Sequence, residues 1–287
     1  MLQMDGSPFD WLKDHQPRLA LLGAVDDATG KVLCLVLRPT EDQVGYLMLL
    51  RSIAKQFGVP MAIYHDRHTI LCSPKRPTLE EELAGEQPMS QIQRVMSELG
   101  IETIPAHSPQ AKGRVERLWG TLQDRLVSEL RVARAQTMAE ANQVLAEFLP
   151  RYNRRFMVPA AQPGSAYQPT PPGFVPEEVF CLKHQRTVGS DNVVRFNNRR
   201  LQIQPGVDRP SYARVKVTVH EGFDGQLAIC HKGRRLATTD APPDATQLRS
   251  NKPATDQLVK RFLRHRPWKP GPNHPWRRSG KVFHDRG

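Results

Sequence analysis

Apolar positions change their spacing along the chain, and the changes outline its elements. Leu19–Val25 and Val32–Leu37 are nearly unbroken apolar runs separated by Asp26-Asp27-Ala28-Thr29-Gly30, which predicts a buried β-hairpin with a turn between its strands. Leu2–Asp5 reads as a shorter strand before them. After Pro39 the spacing becomes helical: Val44, Leu47, Met48, Ile53 and Phe57 recur near a 3.6-residue period over Glu41–Phe57, and Gly58 stops the run. Met61–Tyr64 follows as a short buried strand. Gln91–Leu99 is a second helix ended by Gly100, and Ile101–Ile104 a further strand. A third helix carries Val115, Leu118, Leu122 and Leu126 as its core-facing stripe. The order β-β-β-α-β-α-β-α, hairpins first and crossovers later, predicts an α/β fold with a mixed sheet flanked by helices.

Other segments depart from that rhythm. Ser73–Met89, with three prolines and the run Glu80-Glu81-Glu82, reads as an inserted flap. Residues 159–176 hold six prolines and read as a linker. Arg186–Ile203 and Ala213–Ile229 alternate in short segments broken by Gly189-Ser190-Asp191-Asn192, Asn197-Asn198 and Glu221-Gly222-Phe223-Asp224-Gly225, the pattern of a small all-β barrel. From residue 241 prolines and basic residues dominate without periodicity, which predicts a disordered basic tail. The expected division is therefore a catalytic-core-sized unit at 1–158, a linker at 159–176, a small β-barrel at 177–240 and a tail at 241–287.

Charge adds a partner class. The 287 residues carry a formal net charge of +12 and 39% hydrophobic content, enough for a full core and strongly suited to a polyanion. The longest apolar runs are too short to span a bilayer, and the N-terminus lacks the charged and apolar regions of a secretory signal, so a cytoplasmic protein is expected. Cys34, Cys72, Cys181 and Cys230 are scattered, which fits reduced thiols. Cys181-x-x-His184 and Cys230-His231 lack the repeated paired spacing of structural zinc.

Three acids stand out by context. Asp5 and Asp66 each close an apolar strand-like run, and Glu116 lies on a helix beside its buried stripe, on a neighbouring face with Gly120 and Gln123. Carboxylates held on rigid elements at one sheet margin are hard oxygen ligands of the kind that magnesium or manganese accepts together with phosphate oxygens. Two such ions about 3.5–4 Å apart serve in-line displacement at phosphorus. Asp26 and Asp27 occupy the hairpin turn and read as turn formers.

Gln3-Met4-Asp5-Gly6-Ser7-Pro8, Tyr64-His65-Asp66-Arg67 and Ser108-Pro109-Gln110-Ala111-Lys112-Gly113-Arg114-Val115-Glu116-Arg117, continued by Trp119-Gly120-Thr121-Leu122-Gln123, together resemble DDE transposases and retroviral-type integrases, most closely insertion-sequence transposases of the ISNCY type. Arg151-Tyr152-Asn153-Arg154-Arg155 followed by Pro159 and Gln162-Pro163 looks like the exit from such a core. The resemblance implies an RNase H-like mixed-sheet catalytic core over 1–158. It also implies a catalytic and metal-binding triad of Asp5, Asp66 and Glu116, with two Mg2+ or Mn2+ ions bridged by Asp5. The implied activity is metal-dependent cleavage and strand transfer of an insertion sequence by a DDE-type polynucleotidyl transferase. The 49 residues between Asp66 and Glu116 exceed the retroviral spacing, and the flap accounts for the excess.

The implied partners are double-stranded DNA, both transposon ends and target, and further copies of the chain on that DNA, in a bacterial cytoplasm at the nucleoid. Gln110, Lys112, Arg114, Arg117 and Gln123 surround Glu116 and suit phosphate or base-edge contacts. Arg199, Arg200, Lys232, Arg234 and Arg235 are candidates for backbone tracking, and Trp268 and Trp276 for base stacking. The chain starts four residues before Asp5, so the core is expected to be N-terminally truncated and to lack an end-recognising helix-turn-helix. A non-catalytic DNA-binding remnant is the alternative reading.

Overall fold

The long apolar strand that the hairpin pattern predicts organises the first sheet. In the computed structural model, which describes residues 1–13, 17–65, 70–71, 82, 88–105, 113–206 and 209–241, strands β1 (Leu2–Phe9), β2 (Leu19–Asp26) and β3 (Val32–Arg38) form an antiparallel meander. Short strands β4 (Val59–Pro60) and β5 (Ala62–His65) and then β6 (Glu102–Pro105) follow, and the sheet order is β3-β2-β1-β5-β6. β5 lies parallel to β1, with Leu2 beside Ile63 and Gln3 beside Tyr64, and β6 is parallel to β5. The sheet is therefore mixed. One expectation is corrected here, because β1 does not end at Asp5 but runs on to Phe9. Gly6, Ser7 and Pro8 are poor strand formers, yet they pair with Leu22, Leu21 and Ala20, and the Trp11 indole N–H donates to the Ser7 carbonyl at 3.1 Å. Pairing to an apolar neighbour overrides local propensity.

Alternation along the strands gives each face its own core. Leu2, Met4, Leu22 and Ala24 point to one side, against helices α1 (Gln43–Gln56) and α2 (Gln91–Glu98). Leu21 and Val25 point to the other, against α3 (Gly113–Val132) and α4 (Met138–Phe156). Asp42 caps α1 by accepting from the Gly45 amide, and Ser90 and Thr137 start α2 and α4 with capping boxes. Val115, Leu118, Leu122 and Leu126 are all buried, as their spacing predicts.

β3 is an edge strand, and α4 closes it. The Asn153 side chain accepts from the Val32 amide at 2.8 Å and donates to the Val32 carbonyl at 2.7 Å, and Asn142 does the same at Leu37 with 2.8 and 3.1 Å. Two side-chain amides thus occupy backbone groups that a further strand would otherwise take.

Beyond α4 the chain returns to the sheet. β7 (Tyr167–Gln168) pairs with β4, and Gly58 makes this possible: its φ is +95° and a Cβ there would lie 2.4 Å from the Gln168 carbonyl oxygen. After the single turn α5 (Pro176–Val179), strands β8 (Leu182–Thr187), β9 (Val193–Phe196), β10 (Arg199–Ile203), β11 (Lys216–Glu221), β12 (Leu227–His231), β13 (Arg234–Leu236) and β14 (Thr238–Asp240) form two sheets, ordered β14-β10-β9 and β13-β12-β11-β8. They share a core that includes Val194, Phe196, Ile203, Val217, Val219 and Ile229. No closed barrel is formed among the described residues. α2 holds the start of β8: Gln91 exchanges two hydrogen bonds with the Lys183 backbone, and Arg94 donates to the Val179 and Cys181 carbonyls. Met1–Thr239 make one compact unit, and the predicted tail lies outside the described residues apart from Ala241.

Candidate active site

Asp5 sits in the middle of β1 on the face covered by α3. Its carboxylate is half-buried, and Oδ2 accepts from the Trp119 indole N–H at 2.9 Å. The indole can reach it because the residue opposite Asp5 on β2 is Gly23, and a Cβ there would lie 2.8 Å from Trp119 Cη2. Trp119 itself is buried. One turn further along α3, the Gln123 amide donates to Ser7 Oγ at 3.3 Å. Ser7 is two residues after Asp5 and so shares its strand face. Two contacts, a turn apart on the helix and one pleat apart on the strand, fix the register of α3 on β1.

That register places Glu116. It lies in the first turn of α3, three residues before Trp119 and so on a neighbouring stretch of the same helix side, with its side chain exposed. β5 ends at His65, buried beside β1, and Asp66 is the next residue in the chain but lies outside the described residues. Hence two of the three expected acids, Asp5 and Glu116, sit on elements that pack directly together. Asp5 is oriented through Oδ2 by a neutral N–H donor, and a carboxylate is the hard oxygen donor type that a divalent cation takes. Among the described residues no group of three or more His, Cys, Asp or Glu side chains is arranged to hold a metal ion.

The expected DNA contacts divide similarly. Gln110 and Lys112 lie outside the described residues, as does the Arg114 side chain, although its backbone belongs to α3. Arg117 is exposed on α3. Gln123 is half-buried and turned to Ser7. Asp26 is a turn former, its Oδ2 accepting from the Thr29 amide and hydroxyl at 3.2 and 2.6 Å, whereas Asp27 Oδ1 accepts from Gln3 Nε2 of β1 at 2.8 Å. Burial, and then the neighbouring Asp26 carboxylate, push the Tyr167 hydroxyl far above the usual phenol range. The sequence reading missed the roles of Trp119 and Gly23. A tryptophan three residues after the acid on a helix was the available signal.

Charge is unevenly placed along the chain. Residues 1–181 hold 19 Lys and Arg against 21 Asp and Glu, whereas residues 182–287 hold 22 against 8. The positive balance belongs to the second half. Among the described residues no helix is long and apolar enough to cross a membrane.

These features describe a mixed α/β protein in which a strand bearing an aspartate and a helix bearing a glutamate pack together. In sequence the chain is similar to insertion-sequence transposases. A putative transposase, y4bF, of Sinorhizobium fredii is 34% identical over 239 residues, covering 82% of this chain and 51% of that protein. The transposase for insertion sequence IS1202 of Streptococcus pneumoniae is 27% identical over 278 residues, covering 96% and 57%. The chain spans about half the length of the curated relatives it matches. No family model matches. Among solved structures, the catalytic core domain of BIV integrase aligns with a TM-score of 0.39 at 18% identity, covering 62% of this chain and 91% of that one. The HTLV-2 integrase catalytic core domain in complex with magnesium aligns at 0.37 and 18%, covering 54% and 86%.

Proposed function

We propose that this chain carries the catalytic core of a DDE-type transposase, which cuts and joins DNA strands at the ends of an insertion sequence. The observation that carries this reading is the Trp119–Asp5 hydrogen bond, which registers the helix bearing Glu116 on the strand bearing Asp5. The sheet order, three antiparallel strands followed by two parallel ones with helices on both faces, supports an RNase H-like core over residues 1–158. Residues 159–176 would then be a connection, 177–240 a small β-module and 241–287 a basic tail.

Asp5, Asp66 and Glu116 would hold two Mg2+ or Mn2+ ions, which when bound supply charge neutralisation at phosphorus and activation of the attacking oxygen. Asp5 is positioned for this by Trp119 and Gly23, and its strand is fixed on both sides by β2 and β5. Gln110, Lys112, Arg114 and Arg117 would hold the DNA backbone beside the acids, while Gln123 positions α3 through Ser7. The partners are duplex DNA and further copies of the chain, and the compartment is the bacterial cytoplasm at the nucleoid. A non-catalytic DNA-binding remnant is the second reading, favoured by the concentration of positive charge after residue 181.

The test is a cleavage and joining assay on DNA carrying candidate element ends in Mg2+ or Mn2+. Wild-type protein is expected to act, and Asp5→Asn, Asp66→Asn and Glu116→Gln each to lose activity while retaining DNA affinity. Wild-type protein that binds DNA without cutting it would favour the second reading, and joining by any of the three variants would remove that acid from the site.

A further inference from the structure

At the end of α4, two arginines from different helices meet on one ring. Phe148, Tyr152 and Phe156 form an aromatic ladder along the helix, with centroids 5.6 and 4.7 Å apart, that runs from the core to a partly exposed Phe156. Over that last ring lie two guanidiniums: Arg125 of α3 at 5.1 Å from the centroid and Arg155 at 5.6 Å. Arg154, next to Arg155 in the chain, is exposed, and so are the following Met157 and Val158, at 49% and 51%. Cation–π attraction to one ring holds the two charges together.

Other arginines of the described residues are paired with acids. Arg38 is paired with Asp42, Arg51 with Glu177, Arg94 with Glu98, Arg151 with Glu129 and Arg195 with Asp191. Among the described residues no carboxylate pairs with Arg125, Arg154 or Arg155, although residues 1–181 contain more acids than bases. The negative end of the α4 dipole favours Arg154 and Arg155 where they stand. It does not account for Arg125, which arrives from the middle of another helix. Like charges converging on one ring repel each other unless an anion lies between them.

We propose that this surface, Arg125 and Arg155 over Phe156 with the adjoining exposed Arg154, is a docking surface for the phosphates of duplex DNA outside the reacting position. The inference rests on the transposase reading and extends it to a surface that contains none of the proposed acids. Arginine forks match phosphate oxygens in geometry, and contacts of this kind orient a duplex without reading its sequence.

The full chain would be titrated with a fluorescent duplex of about 30 base pairs of scrambled sequence over a range of salt concentrations. Each lost phosphate contact lowers the slope of log K against log salt by roughly 0.9, so Arg125→Gln/Arg154→Gln/Arg155→Gln should flatten it by up to about 2.7 and raise Kd roughly tenfold or more near physiological salt. Arg38→Gln/Lys55→Gln/Arg195→Gln removes the same formal charge from residues already paired with acids, and should change the slope much less. Phe156→Ala keeps every charge and should weaken binding severalfold by releasing the guanidiniums. Equal effects of the two triple variants, or unchanged binding in the patch variants, would overturn the proposal. Wild-type protein that does not bind duplex DNA would instead overturn the transposase reading beneath it.

Discussion

The indole N–H of Trp119 donates to Asp5 Oδ2 at 2.9 Å, and it does so across the backbone of Gly23. The hydrogen bond joins the strand and the helix that carry two of the proposed acids, so one side chain both orients Asp5 and packs the two elements together. A neutral donor on a carboxylate that serves a cation acts as an outer-sphere orienting group, and removing such a group typically weakens metal affinity by about 10–100-fold. Trp119→Phe should therefore bind Mn2+ about tenfold more weakly, followed by electron paramagnetic resonance of free Mn2+, while unfolding cooperatively like the wild type. Unchanged Mn2+ affinity would show that Asp5 holds its orientation without the indole.

Gly23 has a steric role that its neighbours make specific. An added methyl would lie 2.8 Å from Trp119 Cη2 and 2.9 Å from Leu35 Cδ2, distances that force one ring or the strand to move. Gly23→Ala is expected to cost about 1–3 kcal/mol in urea unfolding. Because phenylalanine lacks the outer indole atoms, Gly23→Ala/Trp119→Phe should lose less than the sum of the single variants, and strict additivity would argue against a clash at this position.

The sheet and its helices were legible because their apolar periods are strong: Leu19–Val25, Val32–Leu37 and the Val115 to Leu126 stripe each point to one element. The length of β1 was not, since Gly6-Ser7-Pro8 carries no strand propensity and is held by partners that are distant in sequence or by the Trp11 indole. Val44 and Met48 belong to the 3.6-residue recurrence of α1 but are only half-buried, whereas Tyr46, Leu49 and Leu50 are buried. That helix fits between a sheet and another helix, so its buried surface is wider than a single stripe. For the site, the contexts of Asp5 and Glu116 single them out as candidates, but the Trp119–Asp5 contact that packs their elements together is not legible in the sequence. Trp119 reads as one more apolar helix residue until the glycine opposite Asp5 shows why its ring fits there.

His220 gives a pH-dependent stability. Burial lowers its pKa to about 4 from an ordinary 6.5, with the Lys183 and Arg94 cations adding to the effect and Glu98 opposing it. The folded protein holds this imidazole neutral while the unfolded chain protonates it near 6.5, so the contribution is present above that pH and is lost as pH falls towards 4. Since the ring is only half-buried, the loss should be on the order of 1 kcal/mol. His220→Gln should flatten the stability profile between pH 6.5 and 4.5, measured by urea unfolding. A profile as steep as that of the wild type would place the titration on other groups.

The two asparagines on α4 make a final case in which a side chain replaces a missing strand. Asn153 is buried and satisfies both backbone groups of Val32, and Asn142, three turns earlier on the helix, satisfies both of Leu37. Replacing either with leucine keeps the volume but strands a buried donor and acceptor, and each unsatisfied group costs about 1–3 kcal/mol. Asn153→Leu should therefore lose about 2–4 kcal/mol, and Asn142→Leu less because its site is more open to water. The residues are far enough apart on α4 for the losses to add. Edge groups freed in this way also become available to another chain, so the double variant should self-associate at concentrations where the wild type does not. Light scattering and urea unfolding of the four proteins decide this, and a stable, non-associating double variant would show that β3 needs no edge cover.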